Sequence, residues 1–213
     1  MSLRAAIEAL LFDIGGVLID IDFERALRHW APMSAYSFDE LKSAFAFDAA
    51  YQRHERGEIG ASEYFEALRT KLRLEGSDAQ IAAGWNAIFV GEIAGALSIL
   101  QEARAGFPCY AFTNTNPTHH AAWTAAFPEV CSAFDRVFAS SEIGLRKPER
   151  AAFEAVARAM GTSTSAILFL DDTLENVLGA RQAGMQAEQV RSTAGLRAAL
   201  ARTGLPRRRR PSQ

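Results

Sequence analysis

The aspartate Asp13 follows a short apolar run at residues 9–12 and precedes two glycines, Gly15 and Gly16. Glycine has no Cβ, so the backbone of this segment can approach a ligand closely. The Asp13 carboxylate can therefore act as a nucleophile or as a metal ligand. Capping of a following helix is the structural alternative, and this segment alone leaves all three roles open.

Two more carboxylates, Asp171 and Asp172, follow a strongly apolar run at residues 166–170. Adjacent carboxylates at the end of a buried strand repel each other unless a cation lies beside them. Carboxylate oxygens favour Mg²⁺ over Zn²⁺. The pair therefore predicts a magnesium site, with capping of the next helix by Asp172 as the alternative.

Two further segments carry groups that can hold a phosphate. Thr113 and Asn114 follow an apolar run and offer a hydroxyl, an amide and turn N–H groups. Lys147 stands directly before Pro148, which opens a helical pattern, so its ammonium would lie near a helix N-terminus. An ordinary turn and an ordinary surface lysine are the structural alternatives.

Short apolar runs alternate with helical patterns, which is typical of an α/β fold with a parallel sheet. Helical patterns over residues 93–105, 148–160 and 174–183 each end at a glycine. Because the carboxyl ends of parallel strands share one edge, the four polar segments should meet in a single crevice. Strands are predicted at residues 9–12, 110–112, 136–139, 166–170 and 186–190.

The interval from residue 23 to residue 89 has helical periodicity and polar breaks but no convincing strand pattern. It is too long for a single crossover between strands. Since it follows the first predicted strand, we expect a separate helical lobe above the carboxyl ends of the strands.

Composition narrows the function classes. The chain has 213 residues, 49% of them hydrophobic, and a formal net charge of -2, so it has no general electrostatic footprint for nucleic acid or an anionic membrane. Two cysteines in such a chain indicate neither a disulfide framework nor a thiolate zinc site. Asp13 interrupts the apolar run near the N-terminus, so we expect no signal peptide or membrane span and a cytoplasmic protein. The arginines at residues 207–210 predict a solvated, disordered tail.

The four polar segments, taken in order, resemble the four motifs of the haloacid dehalogenase superfamily, and together they span nearly the whole chain. A further likeness involves residues 54–59, Gly84-Trp85 and residues 112–116. These stretches resemble the subgroup that contains bacterial α-D-glucose-1-phosphate phosphatases and the N-terminal phosphatase domain of epoxide hydrolases. The motif residues are Asp13-Ile14-Gly15-Gly16-Val17, Thr113-Asn114, Lys147-Pro148 and Asp171-Asp172.

The resemblance implies a Rossmann-like core at residues 1–20 and 91–205, a helical cap at residues 21–90 and a basic tail at residues 206–213. It implies a phosphatase for a small phosphorylated metabolite, with Asp13 forming an aspartyl-phosphate intermediate. The resemblance is compatible with both a monomer and a homodimer. Magnesium would be held by Asp13, the Gly15 carbonyl and Asp172, supported by Asp171 and Asn176. The phosphoryl group would be held by the Gly15-Gly16 turn, Thr113, the Asn114 backbone and Lys147.

Gly15 departs from the commonest pattern of this superfamily. Many phosphatases of the superfamily carry a second aspartate two residues after the nucleophile, where it protonates the leaving group. A positioned acid or base contributes roughly 100- to 10,000-fold, so its absence disfavours ordinary phosphate monoesters. The resembling sugar-phosphatase subgroup shares this glycine, and an anomeric oxygen leaves more easily than a simple alkoxide. A hexose 1-phosphate is therefore the predicted substrate.

The helical lobe should exclude water and select the leaving group. His54, Glu55 and Arg56 are its candidate substrate contacts, with a solvated turn carrying helix-end pairs as the alternative. His119 and His120 could face the site, although exposure to solvent is the expected alternative. Two other functions remain open: a phosphate-binding regulatory module without turnover, and a 2-haloacid dehalogenase, which attacks carbon and needs no magnesium.

Overall fold

Five parallel strands form the central sheet of the computed structural model, which describes residues 5–203. Their order across the sheet is β5-β4-β1-β6-β7, and each neighbouring pair runs parallel. The predicted α/β fold class is thereby confirmed. These strands are β1 Ala9–Phe12, β4 Cys109–Thr113, β5 Arg136–Ala139, β6 Ile167–Asp171 and β7 Gln186–Gln189.

Strand β1 lies at the middle of the sheet because both of its faces are apolar. Leu10 and Phe12 point into one hydrophobic cluster, and Leu11 points into the cluster on the opposite face. The order of strands reverses beside β1, since β4 follows on one side and β6 on the other. A crevice opens at the carboxyl ends of the strands at such a point, and ligands bind there in open α/β sheets.

Helices cover both faces of the sheet within the described residues. Helix α6 (Ala96–Arg104) and helix α12 (Thr193–Ala201) pack on one face, whereas α10 (Arg150–Met160) and α11 (Leu174–Gln182) pack on the other. Helices α7 (Pro117–Ala126), α8 (Pro128–Ser132) and α9 (Ser140–Ile143) follow β4 and β5. A 3-10 turn at Thr164–Ala166 precedes β6.

The helical lobe forms a third hydrophobic cluster, with Trp30 and Trp85 fully buried within it. It consists of α1 Phe23–Trp30, α2 Phe38–Ala44, α3 Ala49–Glu55, α4 Ala61–Leu72 and α5 Asp78–Asn86, with a 3-10 turn at Ala31–Met33. Serine and aspartate side chains cap four of these helices, as expected for the polar breaks in the sequence. We refer to α1–α5 as the helical unit.

An antiparallel ribbon joins the helical unit to the sheet, and its strands were not predicted. It pairs β2 (Ile19–Ile21) with β3 (Phe89–Glu92). The predicted boundaries between core and cap, at residues 20/21 and 90/91, fall inside this ribbon. That division into two domains stays a prediction. The predicted tail at residues 206–213 lies outside the described residues.

Among the helices of residues 5–203, none combines the length and the apolar character needed to cross a membrane.

Candidate active site

The central strands bring the predicted residues to one edge of the sheet. Asp13 directly follows β1, whereas Thr113 ends β4 and Asp171 ends β6. Because β1 lies between β4 and β6, these three residues lie at neighbouring strand ends beside the crevice. All three are buried, with 8% of Asp13, 6% of Thr113 and 0% of Asp171 exposed.

Lys147 reaches into the middle of this group. Its Nζ lies 2.9 Å from Asp13 Oδ1 and 2.8 Å from Asp171 Oδ2, and the side chain is 1% exposed. The same ammonium lies 5.5 Å from the ring centroid of Phe112 and 5.4 Å from that of Phe169. The aromatic rings favour a cation at this position, so Lys147 is a fixed positive charge and not a surface lysine.

Burial dominates the protonation behaviour of these groups. Desolvation raises the pKa of Asp13 to about 8, although the Lys147 ammonium opposes the rise and Asp171 adds to it. Burial lowers the pKa of Lys147, but the carboxylates of Asp13 and Asp171 outweigh this effect and hold it above its ordinary value. Burial and the neighbouring Asp171 also raise the pKa of Asp172. These shifts show that ionising all of the aspartates together would give the site more negative charge than Lys147 alone can balance.

The three aspartates fit a divalent cation. Asp13, Asp171 and Asp172 each offer a carboxylate oxygen, and these atoms lie within 4.8 Å of one another. A Cβ at Gly16 would lie 2.3 Å from Asp172 Oδ2, and Gly16 has a φ of +70°. Only glycine satisfies both conditions, so this residue lets the Asp13 loop approach Asp172. An all-oxygen donor set of this kind suits Mg²⁺.

The two aspartates after β6 have different surroundings. Asp171 Oδ1 accepts hydrogen bonds from the Thr173 N–H at 2.8 Å and from Asn176 Nδ2 at 3.1 Å. Asp172 accepts a bond from Thr173 Oγ1 at 3.2 Å but does not cap α11, because that helix has Thr173 as its N-cap without a side-chain bond. The helix-capping alternative for Asp172 is therefore wrong.

Asn114 connects the end of β4 to the segment that carries Lys147. Its Oδ1 accepts from the Lys147 N–H at 2.9 Å, and its Nδ2 donates to the Lys147 carbonyl at 3.0 Å. Ser140 makes a similar two-way contact with the backbone of Thr115. Ser140 was missed in the sequence because a single serine after a short strand carries no distinguishing pattern, although it is completely buried.

The predicted substrate contacts of the helical unit all have partners within the protein. The His54 ring stacks on Tyr64, and its Nδ1 lies 3.1 Å from the Ile59 carbonyl oxygen. Glu55 is 3% exposed and bonds to Arg146 Nε at 2.8 Å. Arg56 pairs with Glu149. The alternative of a solvated turn is wrong for His54 and Glu55, which are buried, whereas a substrate contact for these three residues stays a prediction.

The expectation that His119 is exposed is wrong. Its Nε2 lies 3.0 Å from the Trp85 carbonyl oxygen, its ring stacks on the Trp85 ring, and it is 5% exposed. Burial lowers the pKa of His119 to about 3, so the ring is neutral near pH 7. The reason is that the helical unit packs on α7 at this point. His120, one residue on, is partly exposed and lies 3.1 Å from Glu142.

Comparisons with known proteins agree with this geometry. The family model of haloacid dehalogenase-like hydrolases matches residues 7–184. A sesquiterpene phosphatase of Aspergillus oryzae is 29% identical over 182 residues, which cover 84% of this chain and 87% of that protein. A D-ribitol-5-phosphate phosphatase of Bacteroides thetaiotaomicron is 24% identical over 190 residues, which cover 86% of this chain and 91% of that protein.

A solved structure is also similar over most of its length. It is a family enzyme of Bacteroides thetaiotaomicron in complex with magnesium and inorganic phosphate. The two chains are 29% identical with a TM-score of 0.77, and the match covers 88% of this chain and 96% of that one. The likeness therefore includes both the sheet and the helical unit.

Proposed function

This chain belongs to the haloacid dehalogenase-like hydrolase family, and from that premise we propose that it is a magnesium-dependent phosphatase that uses Asp13 as its nucleophile. Two relatives are named as phosphatases, and a similar enzyme has been solved with magnesium and phosphate. The observation that carries the proposal is the position of Lys147, which bonds to both Asp13 and Asp171 next to a third carboxylate.

Asp13 begins the reaction when a carboxylate oxygen attacks the phosphorus atom. A P–O bond to Asp13 forms as the bond to the leaving oxygen breaks, and the leaving oxygen takes the electron pair and then a proton. Water next attacks the phosphorus of the aspartyl-phosphate, releasing inorganic phosphate and restoring the carboxylate. Lys147 and Thr113 bind the oxygens of the transferred group, and the backbone of Gly15 and Asn114 lies beside it. A contact from the Gly16 N–H would require it to leave the Ile19 carbonyl, to which it donates at 2.8 Å.

Magnesium, when bound, would neutralise charge on the phosphoryl oxygens. Its proposed ligands are Asp13, the Gly15 carbonyl and Asp172. Asp171 and Asn176 support this set, because Asn176 and Lys147 together hold the Asp171 carboxylate in place. Hydrogen bonds of this kind, made to the side chains around a metal, orient its ligands.

The proposed substrate is a small phosphate ester, and a sugar phosphate such as a hexose 1-phosphate fits best. Gly15 supplies no side chain that could protonate the leaving oxygen. An anomeric oxygen departs more easily than an ordinary alkoxide, so it depends less on such an acid. Substrate contact by Glu55 and Arg56 would require these side chains to exchange their present partners for the sugar, whereas the buried Nε2 of His54 has no hydrogen-bond partner among the described residues. A cytoplasmic location and a monomeric or homodimeric state remain predictions.

A screen of sugar phosphates with Mg²⁺, with and without a chelator, tests the proposal. We expect release of inorganic phosphate that stops when the metal is removed. Phosphate binding without turnover of any ester would contradict it and favour the non-catalytic module. Halide release from a 2-haloacid that survives chelation would instead indicate a dehalogenase. Asp13→Asn provides the control, since it should retain the fold and abolish turnover.

A further inference from the structure

The histidine His119 connects the ends of two helices, one in the core and one in the helical unit. Its backbone N–H donates to the side chain of Asn116, the residue that caps α7, at 3.0 Å. Its ring Nε2 lies 3.0 Å from the carbonyl oxygen of Trp85, in the last turn of α5. Polar groups at helix ends lack partners within the helix. These two bonds therefore satisfy one such group at the start of α7 and one at the end of α5.

The same bonds fix the His119 ring in one neutral form. A carbonyl oxygen only accepts, so Nε2 must carry the proton that it donates to Trp85. Nδ1 is then a bare acceptor, and it lies 3.1 Å from Asn116 Nδ2. The amide cannot be turned over, because its oxygen already accepts the His119 N–H. A second proton on the ring would place two donors face to face, whereas neutral imidazole offers one donor and one acceptor.

The surroundings of His119 agree with a neutral ring. It is 5% exposed, stacks on the Trp85 ring of α5 and meets the Phe89 ring of β3 edge-on. Burial lowers the pKa of His119 to about 3; the Trp85 carbonyl opposes this shift, whereas the titratable ring of His54 on α3 adds to it. Burial also lowers the pKa of His54, an effect that Asn116 opposes. Asn116 and His119 thus act on both α3 and α5 of the helical unit.

Asn116 ends the loop after β4 that is proposed to hold the phosphoryl group. Three successive residues of this loop are bonded to different parts of the molecule. Asn114 bonds to the backbone of Lys147, and the backbone of Thr115 bonds to the side chain of the first residue of α9. Asn116 bonds through His119 to the helical unit. The position of the loop relative to the helical unit therefore depends on Asn116 and His119.

We infer that His119 is a positioning residue, which in its neutral form fixes Asn116 and the phosphate-binding loop against α5 of the helical unit. It acts on the reaction through the placement of Thr113 and Asn114. Small displacements of the groups that hold a reacting substrate lower the rate strongly. This inference rests on the proposed phosphatase function and adds that turnover requires the helical unit to be bonded to the phosphate-binding loop.

The protonation state is tested in the wild-type protein by long-range 1H–15N correlation spectra of the histidine rings. One histidine should have a protonated Nε2 and a bare Nδ1, and it should not titrate between about pH 5 and 8, where an ordinary histidine changes charge. Its signals should be absent from the spectrum of His119→Phe. A His119 ring that is protonated at Nδ1, or that titrates in this range, would overturn the inference.

The positioning role is tested by steady-state kinetics of folded variants. His119→Phe keeps a ring that can stack on Trp85 but loses both ring bonds, so kcat should fall by about 10- to 100-fold. KM should change much less, since the phosphate-binding groups themselves remain. His119→Asn keeps an acceptor for Asn116 but is too short to reach the Trp85 carbonyl, and its kcat should also be low.

His120→Ala is the matched control, because His120 is the next residue of α7 and is partly exposed. Its kinetics should equal those of the wild type. A wild-type kcat in folded His119→Asn would show that the bond to the helical unit has no part in turnover, and it would overturn the inference.

Asn116→Asp provides a rescue that a purely structural role would not show. One carboxylate oxygen can still accept the His119 N–H, and the other faces Nδ1 and favours a second proton on the ring. The doubly protonated ring restores both bonds. Relative to the wild type at the same pH, kcat should therefore stay high where His119 carries both protons and fall as the pH rises and one proton is lost. Asn116→Ala should have a low kcat throughout.

The ring spectra of Asn116→Asp, in which His54 is followed as well, show where His119 titrates. A low kcat of the folded variant while His119 is doubly protonated would overturn the inference. Absence of turnover for every ester by the wild-type enzyme would instead contradict the proposed function, and the wild-type spectra then test the fixed form of His119 by themselves.

Discussion

The Lys147 ammonium partly offsets the negative charge of the three carboxylates that are grouped in the folded site. Oxygen atoms of three carboxylates lie within 4.8 Å of one another, and burial raises the pKa of Asp13 and of Asp172. The buried ammonium lies between two of these carboxylates and stacks above two aromatic rings. Without it, a buried carboxylate would have to become protonated or be expelled toward solvent.

Replacing Lys147 should therefore impair catalysis strongly. We expect Lys147→Met, which keeps the length of the aliphatic chain, to lower kcat/KM by at least about 100-fold, as for the loss of other fixed charges that stabilise a transition state. Inorganic phosphate should also become a weaker competitive inhibitor. Steady-state kinetics with magnesium and circular dichroism of the same samples measure activity and fold together.

Lys42→Ala is the matched control, because Lys42 lies on the surface of α2 and pairs with Glu24. Its kinetics should equal those of the wild type. Unchanged kcat/KM in folded Lys147→Met would contradict the assigned contact with the phosphoryl group.

The functional role of a single residue can be predicted from the sequence when that role depends on the local pattern of residues around it. Asp13, Thr113 and Asp171 were placed together because each follows an apolar run that becomes a parallel strand. Ser140 could not be found this way. Its importance comes from complete burial and from its hydrogen bonds to the Thr115 backbone, and a serine in the sequence signals neither.

Opposite charges connect the helical unit to the loop of Lys147. Glu55 and Arg56 are adjacent at the end of α3, and they pair with Arg146 and Glu149 on either side of Lys147-Pro148. Gly57 adds to the contact, since a Cβ there would lie 2.4 Å from the Ser141 carbonyl oxygen. The helical unit thus contacts the segment around Lys147 at several adjacent points.

The buried pair of Glu55 and Arg146 should couple the two parts energetically. Their side chains are 3% and 17% exposed. In a cycle of Glu55→Gln and Arg146→Gln, we expect a coupling energy of about 1–3 kcal/mol in the free energy of unfolding. Breaking a buried pair leaves one charge without compensation. The losses of unfolding free energy in the two single variants should therefore add up to more than the loss in the double variant.

The exposed pair of Arg150 and Glu154 on α10 serves as the reference, with side chains 69% and 37% exposed. A similar cycle there should give about 0.3–0.5 kcal/mol. Denaturant unfolding of both sets measures the two couplings. Equal values would show that the contact between the helical unit and the lysine loop contributes no more than a surface ion pair.

The strands of the sheet were predicted from the sequence, whereas those of the ribbon were not. Strands β1 and β6 are apolar along nearly their whole length, whereas β7 is largely polar. The predicted segments agree with the observed strand positions to within one residue at every end. The ribbon was missed because β2 and β3 have three and four residues and are joined by pairing across about 70 positions of sequence. Strand β2 does alternate between apolar and polar residues, but three residues are too few to distinguish a strand from a loop, and β3 shows no such alternation in its sequence.

On the scale of the whole molecule, the site is enclosed between the sheet and the helical unit. Asp13 is 8% exposed and Lys147 1%. Burying this much charge costs free energy of folding, so a bound cation should stabilise the entire protein. Function and stability are therefore linked through the same carboxylates.

Magnesium should raise the Tm of chelator-treated protein. At about 100-fold above its dissociation constant, a ligand adds roughly 2.7 kcal/mol, which corresponds to about 5–10 °C for a chain of this length. Asp172→Asn should remove most of this shift, whereas Asp39→Asn on the surface of α2 should keep it. Thermal unfolding with and without Mg²⁺ measures the effect, and an equal shift in Asp172→Asn would exclude Asp172 from the metal site.

The central claim is that Asp13 takes the phosphoryl group, and it is tested most directly by trapping. The enzyme would be quenched with acid during turnover of an aryl phosphate, treated with borohydride, and digested for mass spectrometry. Because borohydride reduces an acyl phosphate to an alcohol, we predict homoserine at position 13 in the wild-type enzyme and none without substrate. Steady release of phosphate with an unmodified Asp13 peptide, together with turnover by Asp13→Asn, would contradict the account.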